Sequence, residues 1–419
     1  MQNLQTNSKL DKQTYLYVPL EQKEAAKSVG CRWDVENKAW YAPKGTELKK
    51  VSEWMLDNQE LMISTSPILS SSDPLIDFQK ELDIRGFELK APLELTNRFN
   101  RVHIFGHKSG TRNGSYRIFS DDIPILWLKD WSTGIEESIP HKDTSYNPEI
   151  SEKMVELRKE INRIRYLQHK YDKSKMQVAI SYRLTKEYEA LKPAASHPYT
   201  TAKCINPLNA KIDDKDNLVI AFRNTHDHIK TIQKIAPTKQ NSRWSKYWEK
   251  NAEKIGNFAI IGAEDFSQYK KVYKNRIIVA EGYATAISVH EALKHPIIVV
   301  GDSSNLIPVI SSLAKDLGND LNIIIAADND LLVKVPVNNP GLTYAQKAAK
   351  MASDLGIKTK IVKPNITEHD AKKGISDFND LAALYGSSTV KKQILTQLNF
   401  NSHAKKKFDR VKDLSIERA

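Results

Sequence analysis

The chain has 419 residues, enough for two or three domains with cores of their own. Its 63 lysines and arginines against 51 acids leave a net charge of +12, which favours a polyanionic partner. Cys31 and Cys204, far apart and without a neighbouring histidine pair, argue against a disulfide scaffold and against a zinc ribbon, and no apolar run reaches membrane-spanning length. No signal-peptide pattern opens the sequence and no G-x-x-x-x-G-K-[ST] encodes a P-loop motor. A cytoplasmic protein with no zinc and no membrane partner is expected.

The first residues, to about Lys12, are polar and read as disordered. Tyr15-Leu16-Tyr17-Val18-Pro19 predicts a strand, Glu21 to Val29 a helix closed by Gly30, and Ala39-Trp40-Tyr41-Ala42-Pro43 a second strand, together a small βαβ module over 13–60. Arg32, Trp33 and Trp40 are candidate nucleotide or DNA contacts there, because aromatic faces stack bases and cations hold phosphates. In so small a unit tryptophans also serve as the core. Residues 61–74 are Ser/Pro-rich and read as a linker. Over 75–137, short alternating runs broken by Gly106, Gly110, Gly114 and Gly134 predict a β-rich segment of hairpins with Trp127 and Trp131 buried. His103 and His107 read as surface hairpin residues rather than metal ligands. A charged helical segment follows over 138–195, with Met154, Leu157, Ile161, Ile164 and Leu167 at helical spacing. Its basic face suits a nucleic-acid backbone or plain solvation equally.

Residues 196–273 carry His197-Pro198-Tyr199, Lys203 and short apolar runs at Asn217–Phe222, Ile229–Ile235 and Gly256–Gly262, the pattern of a short-stranded β subdomain. Three β-branched runs then stop at an acid or a glycine: Ile277 to Gly282, Ile297 to Asp302 and Ile323 to Asp330. Each is followed by a helical pattern, as buried parallel strands of an α/β sheet are. Open α/β sheets place their sites outside the strand C-termini, so Glu281, Asp328 and Asp330 are expected to converge. Three carboxylates on one rim cannot all stay ionised without a cation, and hard oxygen ligands suit Mg²⁺ or Mn²⁺. Asp302 is either a further ligand or a helix N-cap. A helix over Leu342 to Leu355, a strand over Thr359 to Val362 and a helix over Phe378 to Tyr385 complete this domain at 274–386. A helix over Val390 to Leu398 and a basic tail make up 387–419. The expected class is α/β plus α+β, multidomain.

Glu281-Gly282 and Asp328-Asn329-Asp330 resemble the two signatures of the Toprim domain, shared by bacterial-type primases, type IA and II topoisomerases and some nucleases. Gly374-Ile375-Ser376-Asp377-Phe378-Asn379-Asp380-Leu381 is similar to the D-x-N-D segment after the last Toprim strand of phage and plasmid primases. Asn339-Pro340-Gly341-Leu342, followed by Lys347-Ala348-Ala349, is similar to the same primases. His197-Pro198-Tyr199 with Lys203 and the strands after it resemble their catalytic-core subdomain, a segment that topoisomerases and Toprim nucleases lack. The stretch Asn100 to Asp122 is similar to the β-rich segment of conjugative-plasmid primases, and 13–60 to a small domain of unassigned role on plasmid DNA-processing proteins. Two departures stand out, Thr200 for a leucine and Cys204 for a frequent glycine, and the zinc module of many primases is missing.

The resemblance implies a DNA primase of a mobile genetic element that makes short RNA primers on single-stranded DNA from ribonucleoside triphosphates. A separate replicative helicase or polymerase would be a further partner. It implies Asp328, Asp330 and Asp377 as holders of one or two divalent ions, with Glu281 as general base or further ligand. Lys203, Gln233 and Lys234 become candidate nucleotide or template contacts. A Toprim-type Mg-dependent nuclease and a non-catalytic DNA-binding accessory protein are the alternatives.

Overall fold

The computed structural model describes residues 9–56, 58, 73–96, 98–104, 111–120, 123–131, 136–141, 148–240, 243–273, 275–335 and 337–398. The expected linker up to residue 72, Gly106, His107, Gly110, Gly134, the side chains of Met154 and Leu157, and the basic tail lie outside the described residues. Two compact units divide the chain, residues 1–173 and 174–419.

In the first unit, β1 (Thr14–Leu16), α1 (Lys23–Ser28), β2 (Arg32–Asp34), β3 (Ala39–Ala42) and α2 (Leu48–Val51) form the N-terminal module. Its antiparallel sheet runs β1-β3-β2, so the module is βαββ and not the expected βαβ. The extra strand is three residues long, too short for an alternation to show. Its hairpin is closed locally: the Asp34 carboxylate accepts the Asn37 N–H at 2.9 Å and Lys38 takes the left-handed turn position at φ 49°. Leu16, Ala26, Cys31, Ala42, Val51 and Trp54 make the core of one face.

A second sheet follows α3 (Pro74–Ile84): β4 (Phe87–Glu88), β5 (Asn100–Ile104), β6 (Gly114–Phe119), β7 (Ile125–Asp130) and β8 (Glu136–Pro140), paired antiparallel in chain order. Strand alternation turns Val102, Ile104, Tyr116, Ile118, Leu126 and Leu128 onto Phe78 and Leu82 of α3. The odd-numbered neighbours on β6 and β7 therefore face away from that core. Hence Trp127 is only half-buried and Trp131 is 49% exposed, against the expected burial. Parity along β7, rather than side-chain size, decides this. His103 is half-buried in β5, its Nδ1 2.9 Å from the Thr111 carbonyl oxygen.

The helix α4 (Pro148–Ala190) begins in the first unit. Its Ile164 packs on Tyr15 and Ala39, the second face of the module sheet, while Arg163 donates to the carbonyls of Asn37 and Lys38 at 2.8 Å each. Of the expected apolar spacing, Ile164 and Leu167 thus clasp the N-terminal module. In the second unit the end of the same helix puts Leu184 against Val219, Ala221 and Ile232.

That second unit holds β9 (Lys192–Pro193), α5 (Pro198–Ala202), β10 (Ala210–Ile212), β11 (Leu218–Arg223), β12 (Ile229–Gln240) and β13 (Arg243–Trp248), an antiparallel sheet in the order β13-β12-β11-β10-β9. Next come β14 (Ala259–Ile261), α6 (Phe266–Tyr273), β15 (Arg276–Ala280), α7 (Tyr283–Leu293), β16 (Ile297–Val299), α8 (Leu306–Leu317), β17 (Asn322–Ala326), α9 (Pro340–Asp354) and β18 (Lys358–Val362). The helices α10 (Glu368–Lys372), α11 (Phe378–Tyr385) and α12 (Ser387–Gln397) close the described chain. This last sheet runs β14-β16-β15-β17-β18, parallel except for the edge strand β14. Helices cover both its faces: Ile277 and Val279 meet α8 and α9, while Ile278 and Ala280 meet α7, α11 and α12. Ile220, Phe222 and Ile235 of the antiparallel sheet share the core of Ile278, Ala280 and Phe378, so the two subdomains of this unit are welded side by side.

Candidate active site

Glu281 follows β15, Asp328 and Asp330 follow β17, and Asp377 caps α11. The parallel sheet gives β15 and β17 the same register from Arg276↔Asn322 to Ala280↔Ala326, so their acids leave the sheet at one edge. The Asp328-Asn329-Asp330 turn is fixed by its middle residue, whose N–H donates to the Ser376 carbonyl at 2.7 Å and whose side-chain amide donates to the Pro364 carbonyl at 3.0 Å. Asp330 accepts the Gly341 N–H at 3.0 Å, at the N-terminus of α9, where exposed amide groups favour an anion. Gly341 is there for space: a Cβ on it would stand 2.7 Å from the Asp328 carbonyl oxygen.

Burial and neighbouring carboxylates raise Glu281, Asp328 and Asp377. Desolvation, then Asp330 and Asp302, push Glu281 up to about 7, against the Ser303 N–H and Lys246. Burial first, then Asp377, Glu281, Asp330 and Asp380, hold Asp328 well above the usual carboxylate range. Asp377 is raised by burial and by Asp380. Asp328 Oδ1 is buried without a hydrogen-bond partner, a cost that a cation would relieve. An all-oxygen acidic set fits a hard divalent ion. Among the described residues no three acid, histidine or cysteine groups stand close enough to chelate one ion. Mg²⁺ is commonly held by one or two carboxylates with waters and substrate phosphates filling its other positions, which this spacing permits.

Lys203 enters from the neighbouring subdomain. His197 caps α5, its Nδ1 accepting the Tyr199 N–H at 3.1 Å and its Nε2 donating to the Asp216 carbonyl at 3.0 Å. The helix ends at Lys203, and Cys204 bends away at φ 53°, a left-handed position that explains why a glycine suits this place. Lys203 Nζ donates to Asp380 Oδ1 at 3.1 Å. Burial pulls the ammonium down, but Asp377, Asp380 and Asp328 together raise its pKa. Asn379, buried, donates to the Lys203 carbonyl at 2.8 Å and to Ser288 Oγ at 3.1 Å, tying α5, α7 and α11 together behind the acids.

Gln233 and Lys234, adjacent on β12, part company. Gln233 is buried and pairs with Ile220 and Trp248, on the face that carries Ile235 and Lys246. Lys234 points to the other face and pairs with Asp213 at 2.9 Å. Asp302, at an N-cap position, does not cap with its side chain. It pairs with Lys254 and accepts from Ser304, which overcomes its burial and lowers its pKa. In the N-terminal module Trp40 is half-buried on the core, Arg32 is exposed and Trp33 is 47% exposed, its ring 5.5 Å from that of Trp40.

Lys246 is the residue that sequence reasoning missed. It lies 5.4 Å over the Tyr199 ring. Desolvation and then Lys203 lower its pKa, while Asp377, Glu281 and Asp328 pull it back up, which puts it in the field of the same acids. Its signal was the alternation Arg243-Trp244-Ser245-Lys246-Tyr247-Trp248, a strand pattern with a lysine on the face of Trp244 and Trp248. Trp248 is held there by Gly301, where a Cβ would meet it at 2.6 Å.

The Toprim domain family matches residues 276–388, and a domain of unknown function, DUF5710, matches residues 13–55. Two curated relatives, both DNA primase TraC of Escherichia coli, are similar at 26% identity over 343 residues and 28% over 346 residues. Each match covers 80% of this chain but only 30% and 22% of the relative, so the chain spans less than a third of the curated relatives it matches. The zinc-binding and RNA polymerase domains of the Aquifex aeolicus primase are similar over 81% of this chain and 85% of that chain, at 12% identity and a TM-score of 0.36. Glu281, Asp328 and Asp330 are therefore residues of a Toprim domain, in a chain related to DNA primase TraC. Among the described residues no helix is long and apolar enough to cross a membrane.

Proposed function

We propose that this Toprim-domain chain is a DNA primase of a mobile genetic element, acting in the cytoplasm, that joins ribonucleoside triphosphates into short RNA primers on a single-stranded DNA template. The observation that carries the reading is Lys203: a lysine from an antiparallel subdomain reaches Asp380 at 3.1 Å beside the Toprim acids. A bare Toprim hydrolase has no need of a second subdomain that brings cations to the acids. Polymerisation does, because a triphosphate must be bound and oriented before its α-phosphoryl group is attacked.

Asp328, Asp330 and Asp377 would hold one or two divalent ions, Mg²⁺ or Mn²⁺, each through one or two of these carboxylates with waters and triphosphate oxygens completing the shell, and with Glu281 nearby. When bound, such an ion supplies charge neutralisation for triphosphate and pyrophosphate and lowers the pKa of the attacking 3′-hydroxyl. Glu281, raised to about 7, is matched to taking that hydroxyl's proton at neutral pH. Lys203 and Lys246 hold phosphate oxygens, and the lowered pKa of Lys246 reflects burial and the crowding of two ammonium groups that an anion would relieve. Gln233, on the Lys246 face, serves the nucleotide or template; Lys234, committed to Asp213, serves the subdomain's fold. Arg32, Trp33 and Trp40 belong to the reading as DNA contacts of the N-terminal module, with Trp33 the most open of the tryptophans there. A separate helicase or polymerase would take up the primer.

The test is primer synthesis by purified protein on single-stranded DNA with labelled ribonucleotides and Mg²⁺ or Mn²⁺, beside Asp328→Asn. Short labelled oligomers from the wild type, reduced about a thousandfold or more in the variant, are expected. DNA cut without added nucleotides would make the protein a Toprim nuclease, and DNA bound unchanged would make it a binding module.

A further inference from the structure

The outer face of the β4–β8 sheet carries a set of rings and cations that neither its fold nor the Toprim site uses. Register places Arg101, Ser115 and Lys129 side by side on three adjacent strands. The Trp131 ring lies across them: its indole N–H donates to Ser115 Oγ at 2.7 Å, with the Arg101 guanidinium 4.9 Å and the Lys129 ammonium 4.6 Å from the ring centre. One step along the strands, Arg117 stands opposite Trp127, and the Phe99 and Trp127 rings are 5.4 Å apart. Trp131 is 49% and Phe99 51% exposed.

Charge completes the pattern. Glu136 takes Lys129 at 2.6 Å and the Trp127 indole N–H at 3.0 Å, so that lysine is compensated. Arg101 and Arg117 have no carboxylate partner among the described residues. Arg101 donates to the Arg112 carbonyl at 3.3 Å, and Arg117 rests 4.6 Å from the Phe119 ring with its Nε buried and unpartnered, which leaves its terminal nitrogens for a phosphate. Two arginines held on aromatic faces, with unused donors, match a polyanion and not an apolar partner. Trp127 and Trp131 stand four residues apart, about 13 Å of extended backbone and several times the rise of a stacked base, which suits bases spread singly onto side chains and not a duplex.

We infer that this open sheet face binds single-stranded DNA, stacking bases on Trp131 and on the Phe99–Trp127 pair while Arg101 and Arg117 hold the backbone. The site goes beyond the polymerase reading, since it holds a strand whatever the Toprim acids do. Sequence preference is not built into it, because every base offers a ring face and the cations meet phosphates.

The experiment is fluorescence anisotropy of labelled dT20 with the full chain in EDTA, for wild type, Trp131→Ala, Trp131→Phe and the pair Arg101→Gln/Arg117→Gln. Each variant is first shown to melt like the wild type. Trp131→Ala is expected to weaken binding about tenfold and Trp131→Phe much less, since a ring remains. The arginine pair should flatten the slope of log affinity against log salt by about 0.7 for each phosphate that is no longer held. Unchanged dT20 affinity in both Trp131→Ala and the arginine pair overturns the inference. So does tighter binding of rU20, or equal binding of a 20-base-pair duplex, through the same residues. Primer synthesis on the same preparations separates the two readings. Wild-type protein that binds dT20 through Trp131 but makes no primer keeps this site and removes the polymerase. Primer made with full dT20 affinity in Trp131→Ala and in the arginine pair does the reverse.

Discussion

Two five-stranded sheets in this chain solve burial in opposite ways. The Toprim sheet is covered by helices on both faces, so consecutive residues Ile277 and Ile278 are 0% and 3% exposed and only its strand ends are free for chemistry. The β4–β8 sheet is covered by α3 on one face, so Ile118 is 1% exposed while Phe99 on the outer face is 51% exposed. A sheet buried on both sides puts function at its edge in the loops after the strands. A sheet buried on one side can put it on the face.

The sharpest way to break this contrast is by paired truncations, followed by chemical or thermal unfolding. Ile277→Ala and Ile278→Ala should each cost about 2–5 kcal/mol, as should Ile118→Ala, whereas Phe99→Ala should cost less than about 1 kcal/mol. Equal destabilisation at Ile118 and Phe99 would mean that the outer face is covered. Next in size is Lys203→Ala, for which primer synthesis should fall about a hundredfold, with Lys203→Arg recovering part of it; an unchanged rate would separate Lys203 from the chemistry. Gly301→Ala combines a φ of +87° with a Cβ that would stand 2.6 Å from the Trp248 ring. It should cost about 1–3 kcal/mol in the melting of the second unit and leave the first unit unaffected.

The smallest effect concerns pH. Burial and neighbouring carboxylates raise Asp328, and raise Glu281 to about 7, so the folded chain holds these protons more tightly than the unfolded one. Metal-free stability from these groups is therefore full below the ordinary carboxylate pKa of about 4 and is lost as pH rises through their raised folded values, about 7 for Glu281. In EDTA, Asp328→Asn should melt roughly 2–4 °C above the wild type at pH 8 and level with it at pH 4. A variant that melts lower at pH 8 would mean that Asp328 stabilises the fold.

The placement of Glu281, Asp328 and Asp330 was legible because two-sided burial writes β-branched runs that end abruptly in acids, and each of the three sits at such an ending. The role of Asn329 and Asn379 as clasps was not, since a side-chain amide carries no sign of which carbonyl it will meet. Lys246 was hidden in a strand that pairs with the long β12, and the acids whose field it feels follow β15 and β17 and cap α11. Arg32 to Asp34 is too short to announce a strand. Trp131 is exposed against the expectation, although Leu126 and Leu128 already fixed the inward parity of β7.

The measurement that bears most directly on the account is Mn²⁺ binding to the full chain by electron paramagnetic resonance, at pH 8 and pH 6, for wild type and Asp328→Asn/Asp330→Asn. The wild type should bind an ion, more weakly at pH 6 because raised carboxylates must release protons, and the variant should bind none. Mn²⁺ bound equally by both proteins, or by neither even with a ribonucleoside triphosphate present, would contradict this expectation.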